Sequence, residues 1–345
     1  MPLVHSPEPA IRLPLLITGV AGVAGYNALA YFRQKYPGRV IGIRQAKNWR
    51  LMGEGIVACD AEDRGTLQRL FDEYRFGSVL NCAGNCALKA CELDSRLAWR
   101  VNVEGLLNLL TIAIDRDVRM VHLSIDLVFS GKGTGRHIET DRVDPITVYG
   151  KTMVAAEQLV RDGDPRACIL RISLPMGVSF NGHAGAIDWI QSRFQKSKPA
   201  TLYYDEIRTP AYTDCLNRVF ESVLARQVSG LYHCGGPRRL SLYQIAQIVN
   251  RVGGYDPRLL MGCPRHQAGP IPPRAGNVSM DSSKLAAALG GPVIAPWPFD
   301  ERHLPSDLHW HHRRDLFAGS PRLLATTLYR RPPATLGARP QPPCR

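Results

Sequence analysis

Three features of this 345-residue chain predict a doubly wound parallel α/β sheet with a smaller α/β unit attached. A glycine triplet, TGVAGVAG (18–25), stands between an apolar run and a helical stretch. Short apolar runs then alternate with helical patterns on short connections as far as Ser173, which is the signature of βαβ units. Beyond Ser173 the segments shorten and Pro and Gly become more frequent, so a different packing arrangement begins there.

The elements follow in order. LPLLIT (13–18) is continuously apolar, as a strand buried on both faces should be, and Gly19 ends it. A helix is expected from about Val23 to Lys35, stopped by Pro37-Gly38. RVIGIR (39–44) and IVACD (56–60) read as the second and third strands. The helical GTLQRLFDEYRF (65–76) leads to a fourth strand, SVLNCAG (78–84). Residues 93–116 form one long helix, with apolar positions at three-to-four spacing. RMVHLSIDLVF (119–129) is the fifth strand, a helix carrying Tyr149 runs to about Arg161, and ACILRIS (167–173) is the sixth strand. SGLYHCGG (229–236) and SLYQIAQIVNRVGG (241–254) form a further strand and helix, and 262–276 must be a loop. The expected organisation is a loose leader at 1–11 and a dinucleotide-binding unit at 12–172 plus about 201–229. A smaller unit takes 173–200 plus about 230–315, and a basic, proline-rich tail takes 316–345.

Composition narrows the function classes. Apolar residues are 45% of the chain, enough for a core. No apolar run reaches the ~18 residues needed to cross a bilayer. Pro and Glu interrupt the first residues, which lack a signal-peptide pattern. A soluble cytoplasmic protein is expected, with no membrane role. The nine cysteines are scattered without a C-x-x-C pair and read as free thiols. The net charge of +13 is not packed into one run, which argues against a nucleic-acid partner and for steering of small anions. His309, Trp310, His311 and His312 lack a spaced carboxylate or cysteine, so they read as a surface turn and no metal site is expected.

In the glycine triplet, Gly19 permits a tight turn and Gly22 lets a pyrophosphate approach the backbone. Gly25 lets the helix, whose N-terminus faces the phosphates, pack on the strand. The second strand ends in Arg44 rather than in an acid, with Lys47 and Arg50 close behind. A guanidinium there suits a 2′-phosphate, so NADP(H) is favoured and NAD(H) is the alternative. Asp60, ending the third strand, is placed to reach the adenine amine.

TGVAGVAG, CD (59–60), NCAG (81–84), VNVEG, SIDLVFSG (124–131) and VYGKT (148–152) occur in that order. Together they resemble the extended short-chain dehydrogenases, and most closely the dTDP-4-dehydrorhamnose reductase group. The relatives of that group include the NADP-binding regulatory beta subunit of methionine adenosyltransferase. The resemblance spans roughly residues 12 to 292, continuing through DEIRTPAYTDCL (205–216) and NVSMDSSKLAAALG (277–290). It implies reduction of a keto-sugar nucleotide, of the 4-keto-6-deoxy type, by NADPH. Cofactor contacts are implied at Val20, Ala21, Val23 and Ala24 in the loop, at Ala61, and at Cys82, Ala83 and Gly84. Further cofactor contacts are implied at Asn102, Ser124, Tyr149 and Leu174. Substrate contacts are implied at Asn85, Lys89, Asp126, Met176 and Arg208.

In that family a Ser or Thr orients the substrate carbonyl, a Tyr donates the proton, and a Lys one turn later holds the ribose and lowers the phenol pKa. Carried onto this chain, Tyr149 matches, but the hydroxyl position is Ile125 and the lysine position is Met153. Lys151, two residues after Tyr149, lies ~200° round the helix. Ser124, one residue before the hydroxyl position, is the remaining hydroxyl candidate. Asn85-Cys86 replace the family's aromatic-Thr pair, and Lys89-Ala90 replace its Asp-Lys pair. Two functions therefore stand open. One is a reductase with Tyr149 as proton donor and impaired or altered activity. The other is a catalytically silent NADP- or sugar-nucleotide-binding protein that regulates or scaffolds a partner enzyme. A homodimer is compatible with either.

Overall fold

The computed structural model describes residues 10–182, 185–313 and 318–329. Most of the expected leader, and the proline-rich stretch from Pro332, lie outside the described residues. The chain runs β1 (Leu15–Thr18), α1 (Val23–Lys35), β2 (Val40–Arg44), β3 (Ile56–Ala58), α2 (Arg64–Tyr74) and β4 (Ser78–Asn81). It continues with α3 (Leu88–Leu93), α4 (Ser95–Trp99), α5 (Gly105–Asp115), β5 (Arg119–Ile125), α6 (Val148–Gly163) and β6 (Cys168–Ile172). The second half holds β7 (Pro175–Met176), α7 (Ala186–Gln195), β8 (Ala200–Tyr203), β9 (Ile207–Arg208), β10 (Ala211–Tyr212) and α8 (Thr213–Ala225). There follow β11 (Gly230–Cys234), β12 (Leu240–Ser241), α9 (Leu242–Gly253), β13 (Leu260–Cys263), α10 (Ser283–Leu289) and α11 (Pro321–Leu328).

Seven strands form one parallel sheet in the order β11-β6-β5-β4-β1-β2-β3. The order reverses between β1 and β4, which opens a crevice at the carboxyl ends of those two strands, where doubly wound sheets bind ligands. Strand alternation sends Leu15 and Ile17 to one face, with Leu29, Phe32, Val219 and Phe220 of α1 and α8. Leu16 faces the other way, with Leu70, Leu106, Leu109 and Val160 of α2, α5 and α6. Because both faces are covered, the central strands are mostly apolar, and the polar residues within them, such as His122 and Arg171, are buried.

A separate cluster surrounds α9, whose Ile245, Ile248, Val249 and Val252 meet Phe194, Leu202, Trp310 and Leu324. Helix α9 has both ends specified: a Ser241–Gln244 capping box at the start and left-handed Gly254 at the end. The short pairs β7–β10, β9–β12 and β8–β13 form separate two-stranded sheets within this half.

Several elements differ from expectation. GLYHC supplies the edge strand β11 of the main sheet, although the sequence places residues from about 230 in the smaller unit. A strand, β13, opens the segment expected to be all loop. Residues 318–329 include α11, with Leu324 and Leu328 buried on α9. The His309–His312 turn is not a surface feature throughout, because Trp310 and His311 are buried, His311 beside Gln247 of α9. The long helix is present over Ser95–Asp115, interrupted by a π-turn at Arg100–Glu104. It is long and apolar enough by composition to cross a membrane. Its apolar face instead packs on α2, α6 and β5, as a core helix does.

Candidate functional site

The crevice is lined first by the glycine loop. Gly19 sits at φ +64°, where L-residues are disfavoured, and a Cβ there would strike the Cys82 carbonyl. A Cβ on Gly25 would lie 2.5 Å from the Gly19 carbonyl oxygen, so α1 can pack this closely only without one. Gly22 differs: a Cβ there meets only the Gly19 carbonyl, at 3.4 Å, and faces open space. It is the N-cap of α1, supplies no side-chain cap, and the first turn carries no acid. The helix therefore presents free N–H groups and the positive end of its dipole, which fits a pyrophosphate. Val20 is buried and its N–H donates to the Ile43 carbonyl at 3.2 Å, which fixes the loop against β2. Below the loop, Thr18, Asn81 and His122 form a buried chain. Thr18 Oγ1 donates to Asn81 Oδ1 at 2.5 Å, and Asn81 Nδ2 lies 2.9 Å from His122 Nδ1. The Ala83 N–H joins this chain at Thr18 Oγ1, 3.2 Å away, so the turn after β4 is held beside the glycine loop.

At the end of β2, Arg44 is folded back on its own loop. Nε donates to the Leu51 carbonyl at 2.6 Å, and Nη1 donates to the carbonyls of Gln45 and Ala46 at 3.1 and 3.3 Å. Asp60 accepts from the Ala46 N–H at 3.0 Å. Both residues shape the 45–51 loop, which leaves Lys47 and Arg50 on its exposed side, Arg50 lying 5.1 Å from the centre of the exposed Trp49 ring. Ala61 packs against Gly105, and its carbonyl accepts from Asn108 at 3.2 Å.

The π-turn places Asn102 inside the fold. Its Oδ1 accepts from the Asn85 N–H at 2.6 Å, and its Nδ2 donates to Thr152 Oγ1 at 2.9 Å. One side chain thus ties the loop after β4 to the helix that carries Tyr149. Gly84 is exposed on that loop and Lys89 on α3, and the Asn85 side chain caps the Ala87 N–H at 3.2 Å.

Tyr149 and Met153 share one face of α6 and are both buried, in a cluster with Cys91, Ala98, Leu127 and Phe129. Burial pushes the Tyr149 phenol well above its usual 10. Cys86, Asp126 and Cys91 push in the same direction, and Arg208 pulls it down. Lys151 is exposed on another face of α6. Ser124, the hydroxyl candidate, turns toward α6: its Oγ donates to Glu157 Oε1 at 2.5 Å and is buried. Glu157 in turn forms a bidentate pair with Arg171, at 2.8 and 2.7 Å. Ile125, half-buried, packs against the Tyr149 cluster.

Asp126 and Arg208 are brought together although they are far apart in sequence. Arg208 Nη1 donates to Asp126 Oδ1 at 2.5 Å, and Ser173 Oγ donates to Oδ2 at 2.6 Å. Glu206 and Arg274 extend the chain of alternating charges. The links of Asp126, Ser173 and Arg274 to the Glu206–Arg208 pair were not visible in the sequence, because they join distant segments. Leu174 and Met176 flank it, Met176 fully buried in the α9 cluster.

A doubly wound sheet with a glycine-cradled crevice, and a tyrosine on the helix after β5, defines a nucleotide-binding protein of the extended short-chain dehydrogenase kind. The family model described as RmlD substrate binding domain matches residues 13–301, and the chain belongs to that family. It is 26% identical over 270 residues to a dTDP-4-keto-6-deoxy-D-glucose reductase of Streptomyces niveus, covering 75% of this chain and 86% of that one. It is 24% identical over 284 residues to methionine adenosyltransferase 2 subunit beta of Xenopus laevis, covering 78% and 80%. Among solved structures, the dTDP-4-dehydrorhamnose reductase of Bacillus anthracis in complex with NADP superposes with a TM-score of 0.71 at 18% identity. That match covers 84% of this chain and 96% of that one.

Proposed function

We propose that this chain binds NADP(H) and a keto-sugar nucleotide in the crevice and reduces the sugar carbonyl poorly. The observation that carries the reading is the pairing of Tyr149 with buried Met153 one helical turn on. The glycine loop and the N-terminus of α1 would hold the pyrophosphate, and Lys47 and Arg50, with Arg44 once released from the loop carbonyls it now holds, would supply positive charge for a 2′-phosphate. When bound, the nicotinamide supplies a hydride. Tyr149 then supplies the proton to the sugar oxygen from its phenol Oη. A phenol held well above 10 keeps its proton at neutral pH but releases it reluctantly. A thioether at 153 cannot lower that pKa by charge, nor bond strongly to ribose hydroxyls. Ser124 is engaged with Glu157 and leaves no hydroxyl at position 125 to orient the carbonyl. The same substitutions favour a second reading, a silent binding protein acting through a partner enzyme. The likeness to a methionine adenosyltransferase beta subunit supports that reading.

Turnover of dTDP-4-dehydrorhamnose, followed by NADPH oxidation, separates the two. General acid–base assistance is worth ~10²–10⁴-fold. The reductase reading expects slow turnover that Tyr149→Phe abolishes, and at least a tenfold gain from Met153→Lys with Ile125→Thr. A double variant that binds both ligands and stays inactive supports the binding role.

A further inference from the structure

A cavity of about 300 Å³ lies at the opposite edge of the sheet from the glycine loop, lined by Arg12, Arg119, Asp164, Arg166, Gln227 and Ser229. It sits where β5, β6 and β11 begin, whereas the crevice lies where the strands end. Its floor is Arg119, only 6% exposed. The Arg119 guanidinium donates to the backbone carbonyls of Arg166 and Val228, while its Nε–H is buried with no hydrogen-bond partner. Among the described residues no carboxylate lies within ion-pair distance of it, and Asp164 acts on it only from farther off. Burying an unpaired cation is costly, and burial here weakens the hold of the guanidinium on its proton.

The other charges are accounted for. Arg166 pairs with Asp164 at 3.0 Å and with Asp117. Arg12 lies 3.8 Å from Asp117 and donates to Gln227 Oε1 at 3.2 Å. Three guanidinium groups therefore face two carboxylates, and the unbalanced charge is the buried one. Ser229 adds a hydroxyl and Gln227 an amide at the mouth. A planar cation on the floor, with further donors at the rim, is the arrangement that recognises a phosphoryl oxyanion. The volume exceeds that of orthophosphate and reaches the small end of the range for metabolite pockets.

We propose that this cavity is a second ligand site, distinct from the crevice, which takes a phosphate or the phosphoryl group of a small phosphomonoester. The competing physical account is that Arg119 only braces the two loops whose carbonyls it holds.

The full chain is titrated calorimetrically, in a buffer free of oxyanions, with orthophosphate and with glucose 1-phosphate. Sodium chloride at matched ionic strength is the control. One equivalent of either anion should bind and raise the melting temperature beyond chloride. Tighter binding of the ester would assign the site to a phosphorylated metabolite, and tighter binding of orthophosphate would assign it to the free ion. Arg12→Ser, an exposed change, should weaken binding at least tenfold. Ser229→Asp, which places a carboxylate at the mouth, should do the same. Gly22→Val, in the crevice, should leave it unchanged. Stabilisation no greater than that by chloride, or binding that survives both rim variants, overturns the proposal. Binding lost in Gly22→Val places the anion on the glycine loop and overturns it as well.

Discussion

At position 153 a methionine stands in an apolar cluster with Tyr149, and the consequence reaches beyond chemistry to stability. Met153→Lys places an ammonium among Cys91, Leu127 and Phe129, where an unpaired charge is unfavourable. The variant should melt below the natural protein. NADP should recover part of the loss, since a ligand that pairs with the amine binds only the folded state. Equal stabilisation of both proteins by NADP would show that residue 153 does not face the cofactor. A second residue-scale prediction concerns His122, which burial holds down at about 4. Its folded pKa lies below the unfolded value of ~6.5, so the unfolded chain binds the extra proton. Stability is therefore full above ~6.5 and falls as pH drops toward 4, by up to about 3 kcal/mol for this one group. His233 and His303 are lowered in the same direction, again mainly by burial. His122→Gln should reduce, and not abolish, the slope of denaturation free energy between pH 7 and 5. An unchanged slope would assign the acid sensitivity to the other two.

Among the elements, the π-turn and the glycine turn make separable contributions. Asn102 connects the Asn85 loop to Thr152, and Asn102→Ala leaves a buried N–H and a buried hydroxyl short of a partner. Each such loss costs about 1–3 kcal/mol, so a clear drop in melting temperature is expected, with faster amide exchange across residues 84–88. Gly22→Val should leave the melting temperature close to that of the natural protein, because a Cβ there meets open space. It should abolish NADPH binding by calorimetry, because on the proposed reading that space takes the pyrophosphate. Normal binding would show that the loop is misassigned. The glycine turn was legible because its residue types answer local needs: a positive φ at Gly19 and close helix contact at Gly25. The π-turn was not, since VNVEG fits an ordinary helix and the extra residue is set by tertiary contacts of Asn102.

Over the whole molecule, what was legible follows from the range of the interactions. The sheet strands could be read directly, β1 as an unbroken apolar run and β5 and β6 as mostly apolar runs despite the buried Arg119, His122 and Arg171 within them. Strand β11 could be read as a strand but not as the edge of the main sheet, because it is only partly buried and its residues mix polar with apolar. The Asp126–Arg208 pairing and the Ser124–Glu157 contact join segments distant in sequence, which no local pattern encodes. Helix α11 was hidden for a related reason: it is short and adjoins a basic, proline-rich stretch that reads as a tail. Its packing leads to a prediction for truncated chains. Leu324 and Leu328 are fully buried against α9, and the Thr327 carbonyl accepts from Tyr212 Oη at 3.2 Å. Tyr212 Oη also accepts from the Phe299 N–H at 2.7 Å, so α11 helps fix the segment around buried Trp297. Burial of each leucine is worth about 1.5–3 kcal/mol, against a total stability of about 5–15 kcal/mol. A chain ending at Tyr329 should melt with the full chain and bind NADP equally well. A chain ending at Arg313 should melt well below it and expose the α9 cluster to a hydrophobic dye. Equal melting of the two truncations would mean that α11 contributes nothing to that core, and a loss already at Tyr329 would place part of the support in the residues beyond it.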